Sequence, residues 1–170
     1  MIKFRTLPSK MNIVQFTEKF GGIYEHSPWV AKRSWAAGVS EKHDEIEELA
    51  RLMAGVVAAA SEEEKRSLIE AHPDLAGKAA VQGELTAAST FEQAGAGLDN
   101  CTAEEFGAFQ NYNAAYKEKI GFPFIMAVKN SNRHEILAGF EARLQNSLEE
   151  EFATALKEID KIARFRLAEL

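Results

Sequence analysis

Cysteine is nearly missing from this sequence, since Cys101 is the single one among 170 residues. One cysteine excludes an internal disulfide, and no metal-ligand partner stands at a suitable spacing, so we expect a reducing compartment, the cytoplasm. Long apolar runs are missing as well. No segment approaches the length of a membrane span, and residues 1–10 lack the apolar centre of a signal peptide, so we predict no membrane partner.

Positive charge is also scarce. The sequence has 20 Lys and Arg residues against 26 Asp and Glu, which gives a formal net charge of −6 at pH 7. A nucleic-acid surface needs a basic footprint, so we predict no nucleic-acid partner, although a local basic pocket remains compatible with this balance. Hydrophobic residues make up 46% and prolines number only 4, which is typical of a globular chain whose length suits one domain over 1–170.

Helix signals cover nearly all of the remaining sequence. Capping residues followed three positions later by Glu or Gln, apolar residues at three-and-four spacing, and terminal glycines recur along the chain. The predicted caps are Asn12, Ser27, Ser40, Ser61, Thr86, Thr102, Asn132 and Ser147. Because no repeat or linker interrupts this pattern, we predict an all-α fold, a single compact domain of about eight helices.

The apolar spacing also predicts parts of the core. We expect Trp29 and Trp35 to be buried, and Ile13 to lie on the buried face of the first helix. One long helix is predicted to begin at Ser40 and to continue to about Ala60. The helix that begins after the Thr102 cap has the predicted buried stripe Phe106, Phe109, Tyr112 and Tyr116.

The segment His72-Pro73-Asp74-Leu75-Ala76-Gly77-Lys78 interrupts the helical pattern. Proline disfavours helix at the residue before it, so the preceding helix should end at His72 and leave the imidazole at a rigid junction. A group with an ordinary pKa of ~6.5 exchanges protons readily near neutrality. His72 is therefore a candidate for proton transfer, and the alternative is a plain helix stop.

Three other features offer polar groups to a ligand. Ser89, Glu92 and Gln93 share one helical face, which could equally be a solvated surface. Residues 121–128 predict an extended, buried segment whose backbone groups need partners, either protein groups or a ligand. Arg166 lies on the apolar stripe of the last helix, where its charge needs an anion unless the side chain reaches out to solvent at the helix end.

Sites for metals and phosphates have little support. Phosphate loops and nucleophile elbows are missing, and only His43 with Glu47 has a helical metal-pair spacing, on a charged face where we predict no metal. Cofactor-free acid and base chemistry on a small, polar, anionic substrate remains. The alternatives are metal-dependent hydrolysis and a non-catalytic helical module that binds a small anion or a partner helix.

Several motifs together resemble one known family. They are His72 to Lys78, Leu85-Thr86, Ser89-x-x-Glu92-Gln93, Ala96-Gly97-Leu98, Asn113-x-x-Tyr116-Lys117, Gly121 to Ile125, and Lys161-Ile162-x-x-x-Arg166-Leu167. Their order and spacing resemble the 2-oxo-4-hydroxy-4-carboxy-5-ureidoimidazoline (OHCU) decarboxylases of urate breakdown over almost the whole chain. Ile120, Met126 and Ala127 depart from the family pattern, and we expect these changes to affect only packing.

The resemblance implies the third step from urate to allantoin, in which OHCU loses carbon dioxide and yields (S)-allantoin. It also implies an all-helical, cofactor-independent protein that forms a homodimer. The implied catalytic residues are His72 and Glu92. The implied substrate-binding residues are Pro73, Ser89, Gln93, the main chain of Phe124, Ile125, Met126, Ala127 and Val128, and Arg166.

Overall fold

A computed structural model describes residues 1–77 and 83–170. The α-helices in these ranges are α1 (Ile13–Phe20), α2 (Trp29–Ala36), α3 (Ile46–Ala58), α4 (Glu62–Glu70), α5 (Ala87–Gly95), α6 (Ala103–Ile120), α7 (Arg133–Arg143) and α8 (Leu148–Ala168). Short 3-10 helices cover Pro8–Lys10, Glu41–Asp44 and Leu98–Asn100, and one isolated antiparallel bridge pairs Lys3 with Glu45. The predicted all-α fold is confirmed.

The chain divides into two compact units. The first consists of Met1–Ala71 with Asp160–Leu170, and the second is His72–Ile159. Helices α1 to α4 belong to the first unit, α5 to α7 belong to the second, and α8 supplies residues to both. Within the described ranges, no helix combines the length and the apolar character that crossing a membrane requires.

The predicted capping residues define most helix starts. Reciprocal capping boxes, in which each residue of a pair bonds the other's backbone N–H, are formed by Asn12 with Gln15, Ser61 with Glu64, and Thr102 with Glu105. The Thr86 and Asn132 side chains each accept from the N–H group three residues later. A cap of this kind satisfies an N–H that the helix leaves unpaired and contributes about 1 kcal/mol to stability.

The prediction of one long helix that begins at Ser40 is wrong. A 3-10 helix (Glu41–Asp44) comes first, and Glu45 is extended, with ψ 133°, before α3 begins. Contacts with the N-terminal segment explain the break, because the Asp44 carboxylate accepts from the backbone N–H of Ser9 (2.9 Å) and from its hydroxyl (2.8 Å). Tertiary hydrogen bonds thus outweigh the local helix preference at this point.

Three predictions of buried apolar side chains are also wrong. Ile13, the first residue of α1, is 41% exposed, and both tryptophans are half-buried. Trp29 lies under the guanidinium of Arg33, 4.7 Å from its ring centre, and Trp35 contacts the ring of Phe16 at 5.4 Å. Large indole rings often cover a core edge in this way without being enclosed.

Aromatic rings form the core of the second unit. Phe124 stacks on Phe140 with ring centres 3.8 Å apart, and its ring meets Tyr116 edge-on at 5.2 Å. The segment 121–128 is non-helical, and its side chains Phe122, Phe124, Ile125 and Val128 are buried, as predicted. On α6 the buried residues are Phe109, Asn113, Tyr116 and Ile120, whereas Phe106 and Tyr112 of the predicted stripe are only half-buried.

Candidate active site

His72 lies where the sequence predicted it. Helix α4 ends at Glu70, Ala71 is its C-cap, and His72 follows directly before Pro73. The His72 side chain is only 8% exposed. Its imidazole is therefore a buried titratable group at a helix-to-loop junction, which is a suitable environment for controlled proton transfer.

The loop that follows His72 is held by side-chain amides. Three consecutive carbonyl oxygens accept from them: Asp74 from Gln93 (3.3 Å), Leu75 from Asn113 (3.0 Å) and Ala76 from Gln110 (2.9 Å). The Ala76 N–H also donates to the Gln93 side-chain oxygen, at 3.0 Å. Side chains of α5 and α6 thus satisfy backbone groups that a loop in the interior would otherwise leave unpaired. Lys78, the last residue of the motif, lies outside the described residues.

The backbone of this loop adopts a conformation that it would not prefer alone. Ala76 has φ +50°, in the left-handed region, which costs a residue with a Cβ roughly 1 kcal/mol. A Cβ added to Gly77 would lie 2.6 Å from the Cβ of Asp74, so only glycine fits there. The Lys117 ammonium also binds the Asp74 carboxylate at 2.6 Å. Tertiary contacts therefore maintain the loop geometry.

Helix α5 presents the predicted polar face. Ser89 is 4% exposed and Gln93 5%, while Glu92 is half-buried. Both polar atoms of the Gln93 amide bond the loop after His72, so the structure gives this residue a loop-holding role that the sequence did not suggest. Substrate binding by Ser89 and Gln93 stays a prediction.

Two charged side chains hold the main chain of the segment 121–128. The Arg143 guanidinium donates to the carbonyl of Ile125, and the N–H of Ala127 donates to the Glu158 carboxylate at 2.9 Å. The sequence predicted that the backbone groups of this buried, non-helical segment need hydrogen-bond partners, and for these two groups protein side chains are the partners. Substrate binding by the main chain of this segment stays a prediction, and at Ala127 a substrate would have to share or replace the bond to Glu158.

A fully buried carboxylate supports this arrangement. Glu151 is 0% exposed and accepts from the Arg143 Nε (2.8 Å), from the Asn146 amide (3.0 Å) and from the Tyr116 hydroxyl. Burial and the bond to Glu151 raise the pKa of the Tyr116 phenol above its usual range, so it stays a neutral donor. The guanidinium of Arg143 also lies 4.2 Å from the ring centre of Phe124. These contacts fix Arg143, and through it the carbonyl of Ile125.

Arg166 points inward, and the alternative of a side chain that reaches solvent is wrong. It is 9% exposed, and in the first unit its Nη1 lies 2.8 Å from the carboxylate of Glu25 and 3.2 Å from the carbonyl oxygen of Ile23. Glu25 is 2% exposed and supplies the anion that a buried arginine requires. The sequence offered no signal for this partner, because Glu25 lies in a non-helical segment without periodicity. Substrate binding by Arg166 stays a prediction.

The pair spaced for a metal is engaged in other contacts. The Nδ1 of His43 accepts from the N–H of Ser40 at 2.9 Å, and burial lowers the pKa of this imidazole. Glu47 forms an exposed ion pair with Arg164, and the hydrogen bonds from that guanidinium lower the pKa of the Glu47 carboxyl. Over residues 1–77 and 83–170, no group of three His, Cys, Asp or Glu side chains is arranged to hold a metal ion.

A cavity of about 610 Å³ adjoins the loop. Ala76, Gln93 and Phe106 contribute to its wall, and His72 and Glu92 are not among the described residues that line it. The cavity therefore shares a wall with the candidate site without containing its predicted catalytic side chains.

Comparison with known proteins decides the family. The profile of the family described as OHCU decarboxylase matches residues 9–168. The chain belongs to this family. A 2-oxo-4-hydroxy-4-carboxy-5-ureidoimidazoline decarboxylase of Haloferax volcanii is 45% identical over 154 residues, which cover 91% of this chain and 88% of the relative. A mouse protein with the same name is 34% identical over 162 residues, covering 95% of this chain and 89% of the relative.

Two solved structures have a similar fold. A crystal structure of (S)-allantoin synthase is 34% identical and superposes with a TM-score of 0.73, covering 94% of this chain, which spans 50% of that longer chain. A crystal structure of OHCU decarboxylase in the presence of (S)-allantoin is 21% identical, with a TM-score of 0.70 over 88% of this chain and 94% of the other. The resemblance seen in the motifs is confirmed.

Sequence reasoning assigned no role to several residues that organise the site, although Asn113 stands in one of the family motifs. Gln110 and Asn113 hold the loop after His72, while Arg143 and Glu151 hold the segment at Ile125. One signal was available, because Asn113 interrupts the apolar series 109, 116 and 120 on α6. A polar residue at a buried position usually indicates a specific hydrogen bond.

Proposed function

We propose that this chain is a cofactor-independent carboxy-lyase that converts OHCU to (S)-allantoin and carbon dioxide in urate degradation. The observation that carries the proposal is the family match over residues 9–168. The positions of the motif fit it, because His72 is buried directly after α4, and Ser89 and Gln93 are buried on α5. Both features supply polar groups for a small, polar substrate.

The reaction needs no external oxidant, because the electron pair of the broken bond stays on the substrate. The bond between the ring carbon and the carboxylate breaks, and carbon dioxide leaves without the bonding electron pair. That pair forms a double bond to the neighbouring ring carbon, and the imine nitrogen receives the displaced pair and takes up a proton. The hydroxyl then gives up its proton as its carbon becomes the carbonyl of allantoin, and protonation of the neighbouring carbon from one face sets the S configuration. Electrostatic stabilisation of the transient charge and controlled proton movement are the contributions required of the protein.

His72 and Glu92 are the proposed catalytic pair. In this proposal the His72 imidazole binds the substrate hydroxyl and transfers its proton, and Glu92 orients that imidazole. The burial of His72 supports this role, since proton exchange with bulk water is restricted there. A carboxylate that orients a histidine also selects which ring nitrogen carries the proton.

Substrate binding is assigned to Pro73, Ser89, Gln93, the main chain of 124–128, and Arg166. An arginine binds a carboxylate with two parallel hydrogen bonds, which suits an anionic substrate. Departure of carbon dioxide is favoured when its carboxylate is turned out of the ring plane into a poorly hydrated environment.

A coupled assay tests the function. Urate oxidase and hydroxyisourate hydrolase generate OHCU from urate in the cuvette, the protein is added, and absorbance and circular dichroism are followed together. We expect rapid decay of OHCU and the dichroism of (S)-allantoin, with no loss of rate after treatment with a chelator. Decay at the spontaneous rate, giving racemic allantoin, would reject the decarboxylase and favour the non-catalytic binding module.

The proposal includes a cytoplasmic homodimer. Sedimentation equilibrium of the purified protein tests the assembly, for which we expect twice the 18.8 kDa of one chain. A mass of one chain at micromolar concentration would reject the dimer without affecting the assignment of the reaction. Fractionation of the native host tests the compartment.

A further inference from the structure

The loop after His72 depends on two residues that have no role in the proposed mechanism, although one of them, Asn113, belongs to a motif that the chain shares with the family. Asn113 and Gln110 on α6 donate to the carbonyl oxygens of Leu75 and Ala76. Asn113 is 4% exposed, so its amide is a buried polar group aimed at the loop. A buried amide whose hydrogen bond holds a catalytic segment is more than a packing residue, because it selects one loop geometry.

We propose that Asn113 and Gln110 are positioning residues that fix the loop 73–77 and thereby the orientation of the His72 imidazole. The inference rests on the proposed function, in which His72 is catalytic. Asn113, Gln110 and Lys117 lie at spacings of three and four along α6, so one helix face holds the loop.

The conformation of the loop explains why it needs such support. Ala76 is held at φ +50°, and its N–H and carbonyl are both bonded by side-chain amides. Without those bonds, nothing in the covalent structure favours this geometry for an alanine. Loss of one amide should therefore let the loop relax, and Pro73 transmits that shift directly to His72, since its ring restricts the backbone of the residue before it.

The experiment uses full-length Asn113→Leu, which removes the donor while keeping the number and branching of the side-chain heavy atoms. Asn111→Leu is the matched control, because Asn111 lies on the exposed side of the same helix. Gln110→Met is the second variant at a half-buried position, where loss of the fold is less of a concern. We measure kcat and KM in the coupled assay, and the titration of His72 by NMR of the histidine ring signals, assigned with His72→Ala.

A shift of a catalytic group by about 1 Å can cost up to roughly a hundredfold in rate, so we expect kcat to fall at least tenfold in Asn113→Leu, with KM changed less than about threefold. Gln110→Met should show the same pattern to a smaller degree. The His72 titration should move in both variants and stay unchanged in Asn111→Leu. Asn113→Leu should cause no further loss in a His72→Ala background, because it acts through His72.

Two results would overturn the proposal. The first is that folded Asn113→Leu and Gln110→Met proteins have the wild-type kcat and the wild-type His72 titration. The second is that Asn113→Leu lowers the rate by the same factor in the wild-type and the His72→Ala backgrounds. If the wild-type chain has no decarboxylase activity, the proposed function fails, yet the NMR titration of His72 still decides whether the amides position it. The two failures are therefore distinguishable.

Discussion

Arg166 and Glu25 form a buried ion pair, with 2.8 Å between Nη1 and the carboxylate oxygen. The side chains of Arg166 and Glu25 are 8% and 1% exposed. Removing one partner of such a pair leaves an uncompensated charge in the interior. The pair therefore ties the stability of the first unit to the residue that the family resemblance assigns to substrate binding.

Glu25→Gln tests the structural side of this pair. We expect the free energy of unfolding to fall by about 3 kcal/mol, because the Arg166 charge stays buried without its counter-ion. Urea denaturation followed by far-ultraviolet circular dichroism measures the change. The matched control is Glu47→Gln, which breaks an exposed pair with Arg164 and should leave stability nearly unchanged. Equal, small effects of both variants would contradict the burial argument.

Arg166→Lys tests the substrate-binding side. Lysine keeps the positive charge but cannot form two parallel hydrogen bonds to a carboxylate, so we expect KM to rise by roughly tenfold with a smaller effect on kcat. Steady-state kinetics on protein shown to be folded provides the measurement, and Arg164→Lys, at an exposed position, is the control. An unchanged KM would reject the assignment of Arg166 to the substrate.

His72→Ala should abolish most of the catalysis. Loss of a proton-transfer group typically costs a factor of about 10² to 10⁴, whereas a residue beyond the helix end adds little to the core. The coupled assay gives the rate, and circular dichroism verifies the fold. His134→Ala, at an exposed position on α7, serves as the control. Near-native turnover by a folded His72→Ala protein would refute the catalytic assignment.

His43 predicts a pH dependence of stability. Burial lowers the pKa of its imidazole below the ordinary ~6.5, so the unfolded chain binds a proton more readily than the folded one. The contribution of His43 to the free energy of unfolding is fully present above pH ~6.5, the pKa of the unfolded chain. It is lost as the pH falls through the lower pKa of the folded protein. We expect His43→Gln to reduce the difference in unfolding free energy between pH 7.5 and 5.5. An unchanged difference, with His134→Gln as control, would contradict this expectation.

Gly77→Ala should disturb the loop after His72. Its new Cβ would lie 2.6 Å from the Cβ of Asp74, which forces the backbone to move. We expect kcat to fall at least tenfold, because displacement of the loop also displaces the His72 imidazole. Gly107→Ala is the control, since a Cβ there meets nothing within 4 Å, and it should stabilise α6 by about 0.5–1 kcal/mol without affecting the rate. Wild-type kinetics of Gly77→Ala would show that the loop tolerates displacement.

Helix starts and the all-α class were predictable because their causes are local. Asn12, Ser61 and Thr102 cap helices through bonds to residues three positions away, so each cap is visible in a short stretch of sequence. The end of α4 before His72 follows from one proline in the same way. The break at Glu45 was not predictable, since its cause is a bond between Ser9 and Asp44, 35 residues apart.

The sequence by itself determined most of the helices, the candidate His72, the shared face of Ser89, Glu92 and Gln93, and the family, because capping, periodicity and motif order are properties of neighbouring residues. Only the tertiary structure decided which polar groups pair. Asn113 donates to the carbonyl of Leu75, 38 residues away in the sequence, and Arg166 donates to that of Ile23, 143 residues away. No local pattern encodes such partners. A buried donor or charge requires a partner wherever the chain can bring one, so the residue type indicates the need while the fold selects the partner.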